Sequence, residues 1–223
     1  MNKTLPVISI LGGTGALGTG LARRWLQAGY KVIIGSRTEE KAEQAVADLK
    51  ATMAERGVSN PSLQAMANLP AAEAAEIAVL TVPFAHQIET LSLVKDALQD
   101  KVLIDVTVPL VPPKVGRVQL PEGGSAGQIA QNFMGDGTQV VSAFQNVAAY
   151  HLQEGQTLDC DILVCGDSKD AREVGITLVE ATGMRGFHAG PIANAAAVEA
   201  MTSVLITINQ TYKCHSGIRI SNI

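Results

Sequence analysis

Apolar and polar positions along this chain follow two alternating rhythms. Val7-Ile8-Ser9-Ile10-Leu11 is a short, nearly continuous apolar run rich in β-branched residues, the profile of a strand buried on both faces. Leu21, Ala22, Trp25 and Leu26 then recur at helical spacing, Ala28-Gly29 ends that helix, and Tyr30-Lys31-Val32-Ile33-Ile34 predicts a second strand. A helix over 41–50 follows. The alternation around Leu63-Gln64-Ala65-Met66 predicts a short third strand, 71–75 a short alanine-rich helix, and Ile77 to Val82 a buried strand stopped by Pro83. Ile88, Leu91, Val94 and Leu98 form one stripe of a helix over 84–98, and 101–107 returns as a central strand. Strands over 140–144, 161–165 and 186–188 and helices over 126–134, 171–182 and 193–208 complete the pattern. Strands alternating with helices predict an α/β protein, doubly wound about a mainly parallel sheet. From Pro109 to Gly127 the chain is rich in proline and glycine, which reads equally as a lid over a site or as a plain crossover loop, with Ser125 capping the helix after it.

The first strand ends in Gly12-Gly13-Thr14-Gly15-Ala16-Leu17-Gly18. Gly13-x-Gly15-x-x-Gly18 between a strand and a helix lets the backbone approach a pyrophosphate, with the free amides and positive dipole end of the helix facing the anion. The spacing predicts a Rossmann-type dinucleotide site. An NAD site generally carries an acidic residue about 20 positions further on, to bond the ribose 2′-hydroxyl. Here the second strand ends in Gly35-Ser36-Arg37-Thr38-Glu39-Glu40-Lys41, which offers a hydroxyl, a planar guanidinium and an ammonium. That set suits the 2′-phosphate of NADP, although the two cations also fit a solvated helix start paired with neighbouring glutamates.

At 223 residues the chain has room for one α/β domain and a smaller unit. The expected division is an NADP-binding Rossmann domain over 1–145 and a small C-terminal αβ lobe over 146–223 closing the cofactor cleft. A net charge of −4 supplies no basic field for nucleic acid or an anionic membrane. Cys160, Cys165 and Cys214 show neither a C-x-x-C pair nor zinc-ligand spacing, and read as reduced thiols in a cytoplasmic protein. Met1 to Pro6 is too short and polar for a secretory signal. The apolar stretch from Ile192 to Ile208 is interrupted by Asn194, Glu199, Thr202 and Ser203, so it predicts a buried or interfacial helix instead of a membrane span, and with it a homodimer.

Ligands of open α/β sheets lie across the carboxyl ends of the strands. Thr81-Val82-Pro83 and Thr107-Val108-Pro109 are such ends and can face the nicotinamide half of a cofactor, or be strands simply stopped by proline. Tyr30, Tyr150 and Tyr212 are followed four residues later by Ile34, Glu154 and Ser216, which excludes a Tyr-x-x-x-Lys mechanism. No lysine lies in Val147-Ala148-Ala149-Tyr150-His151 either. His86 stands near a strand end, while His151, His188 and His215 are isolated and read as structural. Neither an acid–base pair for carbonyl reduction nor a metal site emerges.

Leu11-Gly12-Gly13-Thr14-Gly15-x-Leu17-Gly18, Gly35-Ser36-Arg37-x-Glu39-x-Lys41-Ala42, Ile77 to Pro83, Val141-Ser142-Ala143, Val164-Cys165-Gly166-Asp167 and Ala189-Gly190-Pro191 occur in this order across nearly the whole chain. Together they resemble the NADPH-dependent reductases of coenzyme F420. The resemblance implies reversible hydride transfer between the nicotinamide and an 8-hydroxy-5-deazaflavin ring, stacked in a cleft between a large dinucleotide domain and a small C-terminal one. It would account for the missing acid and base, because both hydride donor and acceptor are cofactors and the protein has only to align them and exclude water. By position it implies NADP contacts at Thr14, Gly15, Ala16, Leu17, Ser36, Arg37, Lys41, Val82, His86, Val108 and Ala149, beside Gly13 of the turn. Ala143, Val147, Ala148 and Ala149 would let two flat rings approach. The family's Ala-Leu-His-Thr-like segment reads Ala143-Phe144-Gln145-Asn146 here, and the 109–127 loop is longer and richer in proline. Gln145 can still hydrogen-bond a deazaflavin edge, and Lys114, Arg117 or Arg219 can meet an acidic cofactor tail or be plain solvated charges. An NADPH-dependent reductase of another flat acceptor (a flavin, quinone or imine) and a non-catalytic NADP sensor are the competing readings.

Overall fold

The computed structural model describes residues 4–58, 60–154 and 158–223. Residues 1–3, on which part of the N-terminal reading falls, lie outside them. Six parallel strands form the main sheet in the order β3-β2-β1-β4-β5-β6. They are β1 (Val7–Leu11), β2 (Lys31–Ser36), β3 (Leu63–Ala67), β4 (Ile77–Leu80), β5 (Val102–Asp105) and β6 (Gln139–Ser142). The order reverses beside β1, where Ile10 pairs with Ile34 on one side and Val79 on the other. This is the doubly wound arrangement that the alternation predicts, and its switch point lies at the glycine turn.

Side-chain alternation along the strands divides the core in two. Ile8, Ile10, Val79 and Ile104 point to one face, where they meet Leu21 and Trp25 of α1 (Ala16–Gln27) and Ala42, Val46, Leu49 and Met53 of α2 (Glu39–Glu55). Leu11, Ala78, Leu80 and Leu103 point to the other, under α3 (Asn68–Ala74), α4 (Gln87–Val94) and α5 (Ala126–Met134). The helix predicted over 84–98 is broken into a 3-10 turn at Phe84–His86, α4, and a second 3-10 turn at Asp96–Leu98. The second break coincides with a bond from the Leu98 amide back to the Lys95 carbonyl while the Lys95 ammonium reaches the Phe133 carbonyl at 2.6 Å, so tertiary contacts override a sequence periodicity that runs straight through. Ser125 caps α5 by accepting from the Gln128 amide at 2.9 Å, as expected.

Beyond β6 the chain adds α6 (Ala149–Glu154), β7 (Asp161–Val164), α7 (Lys169–Glu180), β8 (Arg185–His188) and α8 (Ala195–Tyr212). α6, only six residues long, is not predicted by periodicity. β7 and β8 form their own parallel pair, linked to β6 by an antiparallel bridge between Ser142 and Cys165. This segment is anchored to the main core: the Trp25 indole donates to the Leu178 carbonyl at 2.9 Å and meets Phe144 edge-on at 6.0 Å. Arg185 clamps Asp161 with bonds of 2.8 and 2.7 Å, which holds the Asp161 carboxyl below the usual carboxylate range. Ile192–Tyr212 is long and apolar enough to cross a membrane by length and composition alone, yet its Glu199 is buried against α5. Cys160 and Cys165 are buried free thiols, and burial pushes Cys165 up to about 11.

Candidate functional site

Backbone needs at the glycine turn separate fold from ligand. Gly12 has φ of +70°, and a Cβ there would sit 2.3 Å from a Val82 methyl. A Cβ on Gly13 would meet the Ile10 carbonyl oxygen at 2.7 Å. Both glycines are demanded by the fold itself. Gly15, the N-cap of α1, is different: its φ is −81° and a Cβ would meet nothing within 4 Å. Glycine at a place where the fold tolerates a side chain is what close approach of a pyrophosphate to the helix amides requires.

Beside this turn, the carboxyl ends of β1, β2, β3 and β4 enclose a cleft of about 300 Å³. Thr14, Ser36, Arg37, Lys41, Val82 and His86 all line it, so six of the residues singled out in the sequence converge there. Ser36 is buried at the end of β2 while Arg37 and Lys41 are exposed, leaving both cations available to a phosphate. His86 contacts Glu89 at 3.3 Å on the opposite wall. Gly13, Gly15, Ala16 and Leu17 belong to the adjoining turn and first turn of α1. Sequence reading missed Asn68, which is buried at the start of α3 and accepts from the Gly12 amide at 3.1 Å, fixing the turn from across the switch point. A lone asparagine at a helix start carries no periodic signal.

A second cleft, of about 230 Å³, opens after β6. Gln145, Val147, Ala148 and Ala149 form one wall, and Thr202, Ile206 and His215 stand on the other side. Its lining is small, apolar or neutral apart from Tyr150 and His215, whose rings stack at 4.9 Å. The Gln145 amide nitrogen is engaged inside the protein, donating to the Asp105 carbonyl and the Ser142 hydroxyl at 2.8 Å each. Its buried Oε1 has no hydrogen-bond partner. Val108 lines neither cleft and lies at the end of the β5 extension between them. Arg219, one of the cations considered for an acidic tail, is bound to Asp159 at 2.8 Å and to Asp161.

Beneath the two clefts lies a buried polar network that sequence patterning did not reveal. Asp105, fully buried at the end of β5, accepts from the Gln87 amide at 2.6 Å and the Thr107 backbone at 2.8 Å. Glu199 of α8 accepts from the Ala126 and Gly127 amides at 2.7 and 2.9 Å, covering the N-terminus of α5. Burial raises the pKa of both carboxyls, that of Glu199 to about 8.

The comparisons agree with this geometry. The family profile described as NADP oxidoreductase coenzyme F420-dependent matches residues 7–109. The F420-dependent NADP reductase of Methanothermobacter thermautotrophicus is 40% identical over 97% of this chain and 95% of its own length, and that of Methanocaldococcus jannaschii 37% identical over 97% and 98%. Among solved structures, an Arthrobacter sp. FB24 protein superposes with a TM-score of 0.80 over 98% of this chain and all of its own at 23% identity, and the imine reductase of Bacillus cereus BAG3X2 with 0.65 over 93% and 62% at 18% identity. At such identities these two structures speak for the shared fold alone. The extent of the reductase matches establishes that this chain belongs to the F420-dependent NADP reductase family.

Proposed function

We propose that this chain transfers a hydride reversibly between NADP(H) and coenzyme F420. The observation that carries the reading is the meeting of Thr14, Ser36, Arg37 and Lys41 in one cleft beside a Gly15 left bare of any packing demand. The turn residues Gly13 to Leu17 hold the pyrophosphate through backbone amides, and the hydroxyl and two cations take the 2′-phosphate. Val82, His86 and Val108 guide the cofactor along the sheet edge towards the second cleft. Bound together, the nicotinamide and the deazaflavin supply the whole redox chemistry, hydride donor and hydride acceptor. What remains for the protein is alignment and exclusion of water: Val147, Ala148 and Ala149 give a low wall for stacked rings, with Gln145 beside them. Residues 146–223 act as the small unit that completes this second cleft against the dinucleotide domain.

The acceptor is tested by absorbance of the purified protein with NADPH and oxidised F420, or FMN in its place. Loss of the deazaflavin band without FMN reduction is expected. Tight NADPH binding with bleaching of FMN alone would assign another acceptor.

The proposal includes small-molecule cofactors as the partners, without nucleic acid or membrane, and a cytoplasmic setting. A homodimer joined through α8 completes the proposal. Ala197, Met201 and Val204 leave an exposed apolar stripe along that helix, Met201 at 41% and Val204 at 43% exposure, and a second copy of the same stripe is the complementary cover for it.

A further inference from the structure

The groove between α1 and α2 holds a second cavity of about 410 Å³ adjoining the cofactor cleft, walled on a third side by Gln153 of α6. Arg23 lines it and is only 4% exposed. Its guanidinium donates to the Gln153 carbonyl and, at 3.0 Å, to the Thr52 hydroxyl, both neutral acceptors, while its Nε is buried without a partner. Among the described residues no carboxylate lies within ion-pair distance of Arg23. Burial, then the nearby charges of Arg56 and Arg24, depress its pKa, so the surroundings add positive charge where relief is needed. Lys41 lines the same cavity. Asp48, the one carboxylate on the lining among the described residues, lies on the exposed face of α2 and accepts from Gln44 at 2.9 Å. A buried guanidinium facing neutral acceptors and other cations is costly to fold around, and an anion is the partner that removes the cost.

We propose that this cavity binds a small phosphate-class dianion, held by Arg23 and Lys41. Thr14 and Lys41 also line the cofactor cleft, so the two sites share these residues. Free phosphate therefore competes for the charge that the NADP 2′-phosphate uses, and weakens binding of NADPH more than of NADH. This coupling rests on the proposed function; the anion site itself does not.

The test is calorimetric titration of inorganic phosphate into the cofactor-free protein at constant ionic strength. One saturable phosphate per chain is expected, weakened about tenfold or more in both Arg23→Met and Gln44→Glu. Gln44 is exposed, so Gln44→Glu decides the matter even if Arg23→Met fails to fold. Arg37→Ala, which alters only the cofactor cleft, should leave phosphate affinity within about twofold. Absence of saturable binding would overturn the proposal. So would binding lost in Arg37→Ala and retained in Gln44→Glu, which would place the ion in the 2′-phosphate position. A parallel fluorescence titration with NADPH separates the two claims, because phosphate binding without NADPH binding would sink the cofactor reading and leave the anion site standing.

Discussion

At the residue scale, the glycine turn separates what folding needs from what binding needs. Gly15→Ala should leave the fold intact, costing no more than about 1 kcal/mol at an N-cap, because its Cβ enters open space. NADPH affinity should fall nonetheless, since that space is where the pyrophosphate must come. Gly13→Ala places a Cβ 2.7 Å from the Ile10 carbonyl oxygen and should destabilise by about 1–3 kcal/mol. Denaturant unfolding and NADPH fluorescence titration of the two variants check the contrast; equal losses of stability would contradict it. The residues that meet in the first cleft were legible in the sequence because the turn, Ser36, Arg37 and Lys41 sit at fixed offsets from strand ends. Asn68, Asp105 and Glu199 were not, because each is a single polar residue with a partner on another element, 18 or more positions away along the chain.

At the element scale, Glu199 ties α8 to the start of α5. Its folded pKa of about 8 stands above an ordinary value of 4.5, chiefly through burial, while the two backbone amides pull it down and Asp105 pushes it up. The folded chain thus holds a proton that the unfolded chain has released. This stabilisation is complete below the unfolded value and is lost as pH rises through about 8. The unfolding free energy should therefore fall on going from about pH 5 to 8, Glu199 contributing at most ~1.4 kcal/mol per unit. The raised pKa of Asp105 acts with the same sign. Glu199→Gln should flatten that slope and cost about 1–3 kcal/mol at the acid end, since an amide cannot accept at both positions. An unchanged slope in the variant would show that another group titrates. Strands were the most legible elements, because β-branched runs bounded by turns admit few alternatives. The interrupted helix over 84–98 and the short α6 were not, since their limits are set by contacts such as Lys95 to the Phe133 carbonyl and Gln153 to the Ala16 carbonyl.

At the scale of the whole molecule, one parallel sheet presents both clefts along its carboxyl edge, and the C-terminal segment is pinned to the sheet and its helices through Trp25, Glu199 and the Ser142–Cys165 bridge. The general architecture followed from the strand–helix alternation. The separate β7–β8 pair did not, because two four-residue strands, Asp161–Val164 and Arg185–His188, are too short to carry a pattern that assigns them to one sheet or another. The α8 stripe makes a further claim at this scale. Sedimentation should give a dimer at micromolar concentration, and Val204→Glu, which places a charge on each side of the proposed two-fold contact, should give a monomer. A wild-type monomer would remove the dimer.

The central claim is that a 2′-phosphate cleft delivers NADP(H) to a deazaflavin, and its most direct test is the ratio of kcat/KM for NADPH over NADH in the reduction of F420, for the wild type and for Arg37→Ala. The account predicts F420 bleaching with strong preference for NADPH, and a preference reduced about tenfold or more by the substitution through loss of the NADPH value alone. Bleaching that proceeds equally with both nucleotides, or a preference untouched by Arg37→Ala, would contradict it.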